Sequence, residues 1–552
     1  MSHREIQTEV CIVGGGTGGF AAALAVARAG HKCIITEPTD WLGGQLTSQA
    51  VPPDENRWIE YEMGVPAATG SYLHFRDSVR QIYRDQRPLT DAAKARLTLN
   101  PGGGWVSRLC CEPTVAHAVL DMMISSYVAR RLITVLLEHE PVAADVNGDS
   151  VRSVTVRGKD GSHTTILAKY FLDATELGDL LPLTQTEYRI GAEAKSEFGE
   201  EHGHPTGDAN DQQAISWCFA LEHRPGENHT ISKPARFDFF NDYTPPLDTG
   251  WPGKLFSWTV AGHDGSLAKT FAFKPWPEEP DEGELDMWRY RRIVDRSIYR
   301  LDAKDAPPDV ALINMVQMDY FLASILDVSA DAKRDALEDA RQLSLSFLYW
   351  MQTQAPRADG NGTGYPGLKL RGDELGTQDG LAKHPYIREA RRLDAQLIVH
   401  EGHVGTAQRR AAKLPDQAAS PYGMAECFAD SVGIGHYRLD LHPSTGMRNS
   451  VYAQAAPFRI PLGALLPKRI KNLVAAGKCL GVSHVANGAY RLHPIEWNIG
   501  ESAGELVAMC LAKQLEPTQV RESMSLLREL QVQLKRHEVP LDWPWERGEG
   551  LA

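Results

Sequence analysis

A glycine-rich stretch near the start of the 552-residue sequence has the spacing of a phosphate-binding loop. Its residues are Gly14, Gly15, Gly16, Thr17, Gly18 and Gly19. The first, third and sixth of them match the pattern G-x-G-x-x-G. Glycines in this pattern permit a tight turn, bring the backbone close to a pyrophosphate and let a helix pack closely on a strand. The stretch therefore predicts a site that binds a dinucleotide through its phosphate groups.

Histidine and arginine side chains in the last third of the sequence are candidates for proton transfer and substrate binding. These candidates are His442, His484, His493, Arg388 and Arg491. Histidine titrates near neutral pH and can accept the proton that an alcohol or amine releases on oxidation. Arginine can bind a substrate carboxylate through two parallel hydrogen bonds. Each of them could instead be an ordinary hydrogen-bonding residue, and Arg388 could form an ion pair with its neighbour Glu389.

The elements that must position the glycine-rich stretch are two apolar segments with the character of buried strands. Residues 10–13 read Val-Cys-Ile-Val, and residues 32–37 read Lys-Cys-Ile-Ile-Thr-Glu. Residues 18–29 have the composition of a helix, and Gly30 is well placed to end it. This helix would direct its free N–H groups and positive dipole end at the phosphates. Glu37 ends the second strand, where a carboxylate can accept hydrogen bonds from a ribose.

Residues 41–47 follow this carboxylate and are predicted to make a second contact with the same ligand. Gly44 lets the backbone approach a ligand closely, and Gln45 supplies hydrogen-bonding groups. An ordinary turn is the alternative interpretation. The position of the segment directly after Glu37 favours the ligand.

Composition and net charge exclude several classes of protein. Apolar residues make up 42% of the sequence and charged residues 23%, which is typical of soluble globular proteins. The net charge of −13 argues against a nucleic-acid partner, because such a partner requires a basic surface. Residues 10–27 carry no charge, but they are glycine-rich and follow Glu5 and Glu9. We therefore expect neither a signal peptide nor a membrane span.

The eight cysteines are scattered along the sequence. They form no C-x-x-C pair and do not combine with histidines at the spacing of a zinc site, so we expect no metal. In a chain without a signal peptide, free thiols in the reducing cytoplasm are the simplest interpretation. The sequence therefore predicts a cytoplasmic protein. A homo-oligomer is compatible with it, but the oligomeric state stays open.

Periodicity and composition divide the chain into segments. Helices are predicted at residues 71–86, 114–128, 285–300, 331–353, 387–394 and 495–513, with another beginning near residue 517. Residues 132–168 are predicted to form a small β-meander. From about residue 185 to residue 450 the sequence becomes polar, rich in tryptophan and proline and rich in loops, which indicates an inserted substrate-facing domain. The predicted segments are 1–184, 185–450, 451–515 and a helical tail at 516–552.

Taken together, these motifs resemble the FAD-dependent oxidoreductase family of the glutathione-reductase-like flavoproteins. The resemblance rests on residues 14–19, 41–47, 108–113, 171–179, 386–389, 391–392, 430–442 and 472–504. It implies an α/β fold with a Rossmann-like FAD-binding domain of three layers, in which a mostly parallel sheet is joined by a β-meander, and with an inserted α+β substrate domain. The FAD-binding domain would be discontinuous, built from the two chain ends and residues 105–180.

The resemblance also implies where FAD, the expected cofactor, binds. Its pyrophosphate would lie at residues 14–18, its adenine near Glu37 and Val142, and its isoalloxazine near residues 491–498. Further residues that would contact it are Ala174, Thr175, Gly477 and Asn498. A helix beginning after Pro494 could direct its positive end at the flavin and stabilise the negative charge that the flavin acquires on reduction.

Two consequences of this placement concern particular residues. His484 and His493 flank the segment expected to approach the isoalloxazine, so they are the preferred acid–base candidates. Residues 174–178 read Ala-Thr-Glu-Leu-Gly, whereas relatives often have glycine directly after Ala-Thr. This departure affects the expected backbone contact at that turn and leaves the expected fold unchanged.

Three cysteines raise two further hypotheses. Cys110 and Cys111 could form a redox disulfide, although adjacent cysteines form a strained ring. Either of them, or Cys479, could hold the flavin covalently. We favour the simpler interpretation, in which all three are small buried hydrophobic residues.

The sequence as a whole predicts an FAD-dependent oxidoreductase that acts on a small organic substrate. Hydride transfer to flavin N5 would oxidise the substrate, and oxygen or another acceptor would re-oxidise the flavin. The alternatives are a flavin-dependent monooxygenase, a tRNA-modifying flavoprotein and a flavin-binding protein without turnover. The acidic net charge argues against the tRNA alternative. A sugar, an amine and an aromatic acid are all compatible with the loops of the middle segment.

Overall fold

A computed structural model describes residues 3–60, 67–263, 266–276, 284–303, 306–412 and 425–543. The end of the predicted tail, residues 544–552, lies outside them. The strands are β1 (His3–Gln7), β2 (Val10–Val13), β3 (Cys33–Glu37), β4 (Ile133–Leu137), β5 (His139–Asn147), β6 (Ser150–Gly158), β7 (His163–Leu167), β8 (Tyr170–Asp173), β9 (Tyr188–Arg189), β10 (Phe219–His223), β11 (Thr259–Val260), β12 (Lys269–Thr270), β13 (Arg292–Val294), β14 (Val310–Ile313), β15 (Leu368–Leu370), β16 (Arg392–Leu393), β17 (Ser431–Gly435), β18 (Leu439–Leu441), β19 (Val451–Ala453), β20 (Phe458–Pro461) and β21 (Leu473–Ala475).

The helices are α1 (Thr17–Arg28), α2 (Gly70–Gln86), α3 (Asp91–Lys94), α4 (Pro113–Ala129), α5 (Leu180–Leu183), α6 (Lys195–Phe198), α7 (Phe237–Asp242), α8 (Met287–Tyr290), α9 (Ala330–Thr353), α10 (Gly372–Leu375), α11 (Glu401–Val404), α12 (Thr406–Ala411), α13 (His484–Tyr490), α14 (His493–Lys513), α15 (Pro517–Glu522) and α16 (Met524–Arg536). The predicted helices at 71–86, 114–128, 331–353 and 495–513 correspond to α2, α4, α9 and α14. In the described part of the chain, no helix combines the length and the apolar character needed to cross a membrane.

The central sheet has the strand order β21-β8-β2-β3-β4, and all neighbouring strands in it are parallel. β2 and β3 are buried along their whole length, which is why both read as continuous apolar runs. The sheet unites both ends of the chain with residues 133–173. Because its strands are parallel, the loops that follow β2, β8 and β21 meet at one edge, where such sheets bind ligands.

Helices α1 and α14 pack against each other and against the central sheet. A Cβ atom on Gly500 would lie 1.9 Å from the carbonyl oxygen of Gly18, and one on Gly504 would lie 2.6 Å from that of Ala22. Only glycine permits so close an approach of two helix backbones. The C-terminal helix is therefore part of the same core as the glycine-rich loop.

A second sheet has the order β1-β7-β6-β5. Antiparallel pairing of β5 with β6 and of β6 with β7 confirms the predicted meander, and β1 joins its edge in parallel. The meander begins later than the predicted residue 132, because the chain turns at Glu138, whose φ is +57°. Residues 133–137 therefore belong to the central sheet, and only residues 139–147 belong to the meander.

The middle of the chain contains an antiparallel sheet of order β13-β14-β10-β15 together with the long helix α9. Ser329 caps α9 through its side-chain oxygen, which accepts a hydrogen bond from the backbone of Ala332. The chain thus combines a Rossmann-like part containing a parallel sheet with an α+β part, as the sequence predicts.

Two predicted helices in this middle part are wrong. Within residues 285–300 only α8 is α-helical, because the β-branched pair Ile293-Val294 lies in β13, which pairs with β14, and Asp295 caps a short 3-10 turn. Residues 387–394 contain no helix, and Arg392 and Leu393 form β16 with β9. Tertiary partners override local helix propensity in both segments.

Candidate functional site

The glycine-rich loop joins β2 to α1 and lies against the loops that follow β8 and β21. Gly14 has a φ of +97°, and a Cβ atom on it would lie 2.2 Å from the carbonyl oxygen of Ala174. A Cβ on Gly18 would lie 2.0 Å from the oxygen of Ala476, and one on Gly19 would lie 1.9 Å from that of Gly14. These positions accept no side chain, because neighbouring backbone atoms fill the space.

The N-terminus of α1 provides the anion site that a dinucleotide needs. No side chain of the described residues caps it, so its first N–H groups are directed outward. Thr17 secures the loop by donating a 3.0 Å hydrogen bond to the oxygen of Gly43. Cβ atoms on Gly16 and Gly44 would lie 2.7 and 2.8 Å from Oε1 of Glu176, a buried oxygen without a hydrogen-bond partner in the described chain. The free donors and the unused acceptor fit the phosphates and hydroxyl groups of FAD.

Glu37 is buried at the end of β3 and faces the glycine-rich loop. Its Oε2 accepts a 3.1 Å hydrogen bond from the backbone N–H of Gly15. Its Oε1 accepts hydrogen bonds from the N–H and hydroxyl of Thr39 at 3.0 and 2.7 Å. Burial raises the pKa of the Glu37 carboxyl to about 7, although these hydrogen bonds oppose the shift. The group predicted to bind the ribose therefore changes its charge near neutral pH.

A cavity of about 90 Å³ lies beside these groups. Among the residues that line it are Gly14, Gly16, Glu37, Ala174, Thr175 and Glu176. Strand β5 reaches the cavity through Glu140 and Pro141, and the pairing register with β6 shifts between Pro141 and Ala143. This bulge leaves Val142 without a directly paired residue on β6. The geometry brings most of the predicted cofactor residues to one place.

The charge of Glu37 leads to a pH-dependent prediction. A carboxylate accepts stronger hydrogen bonds than a neutral carboxyl, by about 1 kcal/mol. Because Glu37 loses its proton as the pH rises through about 7, we expect the apoprotein to bind FAD about fivefold more tightly at pH 8 than at pH 6. Titration of apoprotein followed by flavin fluorescence measures this. Glu37→Gln should show no such change, and an unchanged wild-type affinity at the two pH values would contradict the prediction.

Lys478 lies just after β21 and is fully buried between two carboxylates. Its Nζ pairs with Glu176 and lies 3.4 Å from Oε1 of Glu496. Burial alone would lower the pKa of Lys478, but these two carboxylates raise it above its ordinary value. Gln45 donates hydrogen bonds to Glu496 and to the carbonyl oxygen of Arg491. This network connects the predicted phosphate end of the site with the start of α14.

Replacing Lys478 with methionine should destabilise the protein strongly. The change leaves Glu176 and Glu496 buried without their cation, which typically costs about 3–5 kcal/mol of unfolding free energy. Urea unfolding at pH 7 measures the loss. Lys468→Met removes an exposed lysine that is 2.8 Å from Asp394, and is the matched control, with an expected effect below about 1 kcal/mol. A Lys478→Met protein as stable as this control would refute the prediction.

His493 begins α14, and backbone groups occupy both of its ring nitrogens. Nδ1 accepts a 3.0 Å hydrogen bond from the N–H of Asp54, and Nε2 lies 3.2 Å from the oxygen of Val51. Burial lowers the pKa of His493 well below its ordinary value, so the ring is neutral. In this arrangement His493 positions the helix start and offers no nitrogen to a substrate.

Gly477 and Asn498, which the resemblance also assigns to the cofactor, lie in different surroundings. Gly477 lies at the ligand edge of the sheet, where a Cβ on it would be 3.6 Å from the Cα of Ala174. The side chain of Asn498 forms hydrogen bonds with the backbone of β17. Its amide donates to the oxygen of Val432 at 3.3 Å and accepts from the N–H of Ile434 at 3.2 Å. The amide of Asn498 therefore joins α14 to β17.

Arg388 and His442 are joined by Asp319, a fully buried carboxylate. Nδ1 of His442 lies 2.6 Å from one oxygen of Asp319. The other oxygen accepts from Arg388 at 3.0 Å and from Ser216 at 2.5 Å. Burial alone would raise the pKa of Asp319, but the charges of Arg388 and His442 hold it below its ordinary value. An ionised Asp319 accepts a hydrogen bond from Nδ1–H, which leaves Nε2 as the ring nitrogen that can act as a base.

Arg491 connects this group to the loop after Glu37. Nε2 of His442 lies 3.8 Å from the carboxylate of Asp440, which accepts from Arg491 at 3.2 Å. Arg491 also donates to the hydroxyl of Tyr386 at 2.9 Å, and that hydroxyl donates to Gln45 at 3.1 Å. Residues that are far apart in the sequence thus form one continuous polar chain.

His484 lies in a separate ion pair. Its Nδ1 is 3.0 Å from Oε1 of Glu389, whose charge raises the pKa of His484 although burial opposes this. The backbone of Gln213 donates to the other oxygen of Glu389. Arg388 and Glu389 therefore pair with other residues. Arg388 pairs with Asp319, and Glu389 pairs with His484.

The cysteines singled out in the sequence are buried thiols. Cys110 and Cys111 form no disulfide with each other, and Cys479 directs its thiol at the backbone oxygen of Asp173, 3.2 Å away. Burial raises the pKa of all three, and that of Cys110 to about 12. Such thiols are inert, which fits the interpretation as small hydrophobic residues.

Three residues of this region are absent from the sequence prediction. Asp440 lies between two buried leucines in β18, and Lys478 lies in a buried apolar segment. In both cases a charged residue within an apolar run is a sequence signal that could have identified the residue. Asp319 carries no such local signal. Its partners Arg388 and His442 come from other parts of the chain.

An uncapped helix behind a glycine-rich loop, at the carboxyl edge of a parallel sheet, defines a dinucleotide-binding protein of the Rossmann-like class. The family model described as FAD dependent oxidoreductase matches residues 9–534. The chain belongs to this family of FAD-dependent oxidoreductases. The narrower grouping with glutathione-reductase-like flavoproteins stays a prediction.

Individual relatives match short stretches. The FAD-dependent monooxygenase ntnJ of Nectria sp is 36% identical over 66 residues, 12% of this chain and 16% of that protein. The N,N-dimethylglycine/sarcosine dehydrogenase of Chromohalobacter salexigens is 38% identical over 61 residues, 10% of this chain and 9% of that protein. The chain thus matches less than a fifth of the length of these relatives. A geranylgeranyl bacteriochlorophyll reductase-like protein of Thermoplasma acidophilum has 11% identity and a TM-score of 0.30, over 97% of this chain and 85% of that one.

Proposed function

We propose that the protein oxidises a small organic alcohol or amine and that His442 takes up the proton that the substrate releases. The observation that carries this proposal is the 2.6 Å contact between His442 and the buried carboxylate of Asp319. Bound FAD supplies the acceptor for the hydride that leaves the substrate carbon. Proton removal by a positioned base accelerates such an oxidation by about 10²- to 10⁴-fold.

Exposure favours His442 over the other two histidines. The side chain of His442 is 26% exposed, whereas His484 and His493 are 3% and 0% exposed. A base must reach the substrate, and only a side chain with free surface can do so. Arg388 and Asp319 act behind the ring and set its tautomer, so they are positioning residues.

The start of α14 contributes electrostatically to this proposal. In the described chain no side chain caps α14, and its first turn contains Pro494, which has no N–H group to satisfy. The positive end of the helix dipole would stabilise negative charge that develops nearby. Gln45 connects this helix start to the predicted second contact with the cofactor.

An anaerobic substrate screen tests the proposed reaction. Purified holoenzyme is mixed with primary and secondary alcohols, amines, sugars and hydroxy acids, and the flavin absorbance is followed. Bleaching by a member of the set, followed by recovery of colour on admission of oxygen or an artificial acceptor, is the expected result. A flavin that stays oxidised with every compound, but bleaches with NADH or NADPH, would overturn the proposal.

The same experiment addresses the second candidate, a flavin-dependent monooxygenase. The Nectria relative bears that name, and NAD(P)H-driven bleaching would favour it. A tRNA-modifying role predicts salt-sensitive binding to tRNA, which the net charge of −13 disfavours. We also propose a cytoplasmic location, as the cysteine usage predicts, and a homo-oligomer stays compatible with the sequence.

A further inference from the structure

Arg291 carries buried donors that the described chain does not use. It lies between α8 and β13, and its side chain is 12% exposed. Its Nε and Nη1 atoms are buried and lack a hydrogen-bond partner. The carboxylate of Asp54 is 3.8 Å from Nη1, beyond hydrogen-bond distance. A buried guanidinium with unused donors is costly, so a partner from outside the chain is to be expected.

The surroundings of Arg291 suit a small planar anion with an apolar body. The guanidinium carbon is 5.2 Å from the centre of the Tyr290 ring. Tyr386 and Tyr437 are also close enough to raise the pKa of Arg291. Tyr437 lies near the carboxyl of Asp54 and lowers its pKa. Burial raises the pKa of Asp54, which reduces its ability to neutralise the arginine.

A second arginine places this group beside the proposed base. Nε of Arg491 is also buried without a partner, while its Nη atoms contact Tyr386 and Asp440. The positive charges of Arg291 and Arg491 both lower the pKa of Asp54. They also lower the pKa of His493, the first residue of α14. Asp440 in turn lies 3.8 Å from the ring of His442. The unused donors therefore lie next to the polar chain that ends at the proposed proton acceptor.

We propose that Arg291 binds a carboxylate of the substrate, so that the substrate is a small carboxylic acid with an oxidisable hydroxyl or amino group. This proposal rests on the proposed function. The guanidinium presents parallel N–H groups that match the two oxygens of a carboxylate. Arg491 supplies a further donor, and the neighbouring tyrosine rings enclose the apolar part of the acid.

Binding of acids that cannot be oxidised tests the subsite without turnover. The holoenzyme is titrated with acetate, propionate and benzoate, and in parallel with acetamide, propionamide and benzamide, while the visible spectrum of bound FAD is recorded. We expect saturable spectral changes with at least one acid and none with the matching amide. Arg291→Met should raise the dissociation constant of that acid by about 10- to 150-fold, the range for loss of charge-assisted hydrogen bonds.

Control variants separate binding from folding. Arg296→Met removes an exposed arginine from the same segment and should bind the acids like the wild type. Without ligand, thermal unfolding shows whether Arg291→Met is folded, because the variant leaves the buried carboxyl of Asp54 without the arginine that lies 3.8 Å away. Arg291→Lys keeps the charge but not the planar fork, and it should also bind the acids more weakly. If Arg291→Met does not fold, the binding of acids by Arg291→Lys tests the carboxylate subsite instead.

Several outcomes would overturn the carboxylate subsite. They are equal binding of acids and amides by the wild type, no binding of any acid, and unchanged binding by Arg291→Met. Loss of FAD from Arg291→Met would also overturn it, because the guanidinium would then hold the cofactor. Flavin bleaching by alcohols or amines that lack a carboxylate, without acid binding, would leave the proposed function intact. Binding of acids without bleaching of the flavin by any hydroxy or amino acid would contradict the proposed function but would still support the carboxylate subsite.

Discussion

Replacing Gly16 with alanine is expected to yield a folded protein that binds FAD at least tenfold more weakly. Gly16 has φ −62° and ψ −172°, which alanine adopts without strain. The added methyl group would lie 2.7 Å from Oε1 of Glu176 and 3.8 Å from the backbone oxygen of Ala174, so only the end of one side chain must shift. It would, however, stand in front of the uncapped N-terminus of α1, where the pyrophosphate must approach the backbone. The ratio of flavin to protein absorbance after purification, and titration of the apoprotein, measure the loss.

Two other glycines provide controls for this prediction. Gly30 ends the same helix, has φ +87° and has no atom within 4 Å of an added Cβ, so Gly30→Ala should cost about 1 kcal/mol of stability and retain FAD. Gly18→Ala would place its methyl 2.0 Å from the backbone oxygen of Ala476, and it should prevent folding. A Gly16→Ala protein with wild-type FAD affinity would show that the phosphates bind elsewhere.

Replacing His442 with glutamine is expected to slow flavin reduction by about 10²- to 10⁴-fold with unchanged FAD content. Glutamine can still contact Asp319, but it cannot accept the substrate proton. Anaerobic stopped-flow absorbance with the substrate found by screening measures both quantities.

Protein yield and FAD content separate a base from a structural residue. His31→Gln is the matched control. His31 lies outside this polar chain and pairs with Glu9 at a distance of 3.1 Å. The His31→Gln variant should therefore react like the wild type. A structural role for His442 would lower protein yield or FAD content together with the rate. A His442→Gln rate within threefold of the wild type would exclude His442 as the base.

Local segments explain why the strands and the helix around the glycine-rich loop could be predicted. The strand, loop, helix, strand and carboxylate of residues 10–37 are consecutive, and their contacts depend on short-range geometry. The helix at 331–353 was likewise predictable, because it combines a capping serine with a long helical period. Predictions failed at 285–300 and 387–394, where strand pairing with distant segments overrides local propensity.

The sequence by itself determined the class of fold, the glycine-rich loop and the identity of the cofactor, because each depends on neighbouring residues. The role of Glu37 at the ribose stays a prediction. Only the tertiary structure decided the roles of the charged candidates. Arg388 stands beside Glu389 in the chain, yet it pairs with Asp319, and His493 uses both ring nitrogens on backbone groups. Partners of buried charges are chosen by packing between distant segments, since a buried charge must be neutralised wherever the fold places it.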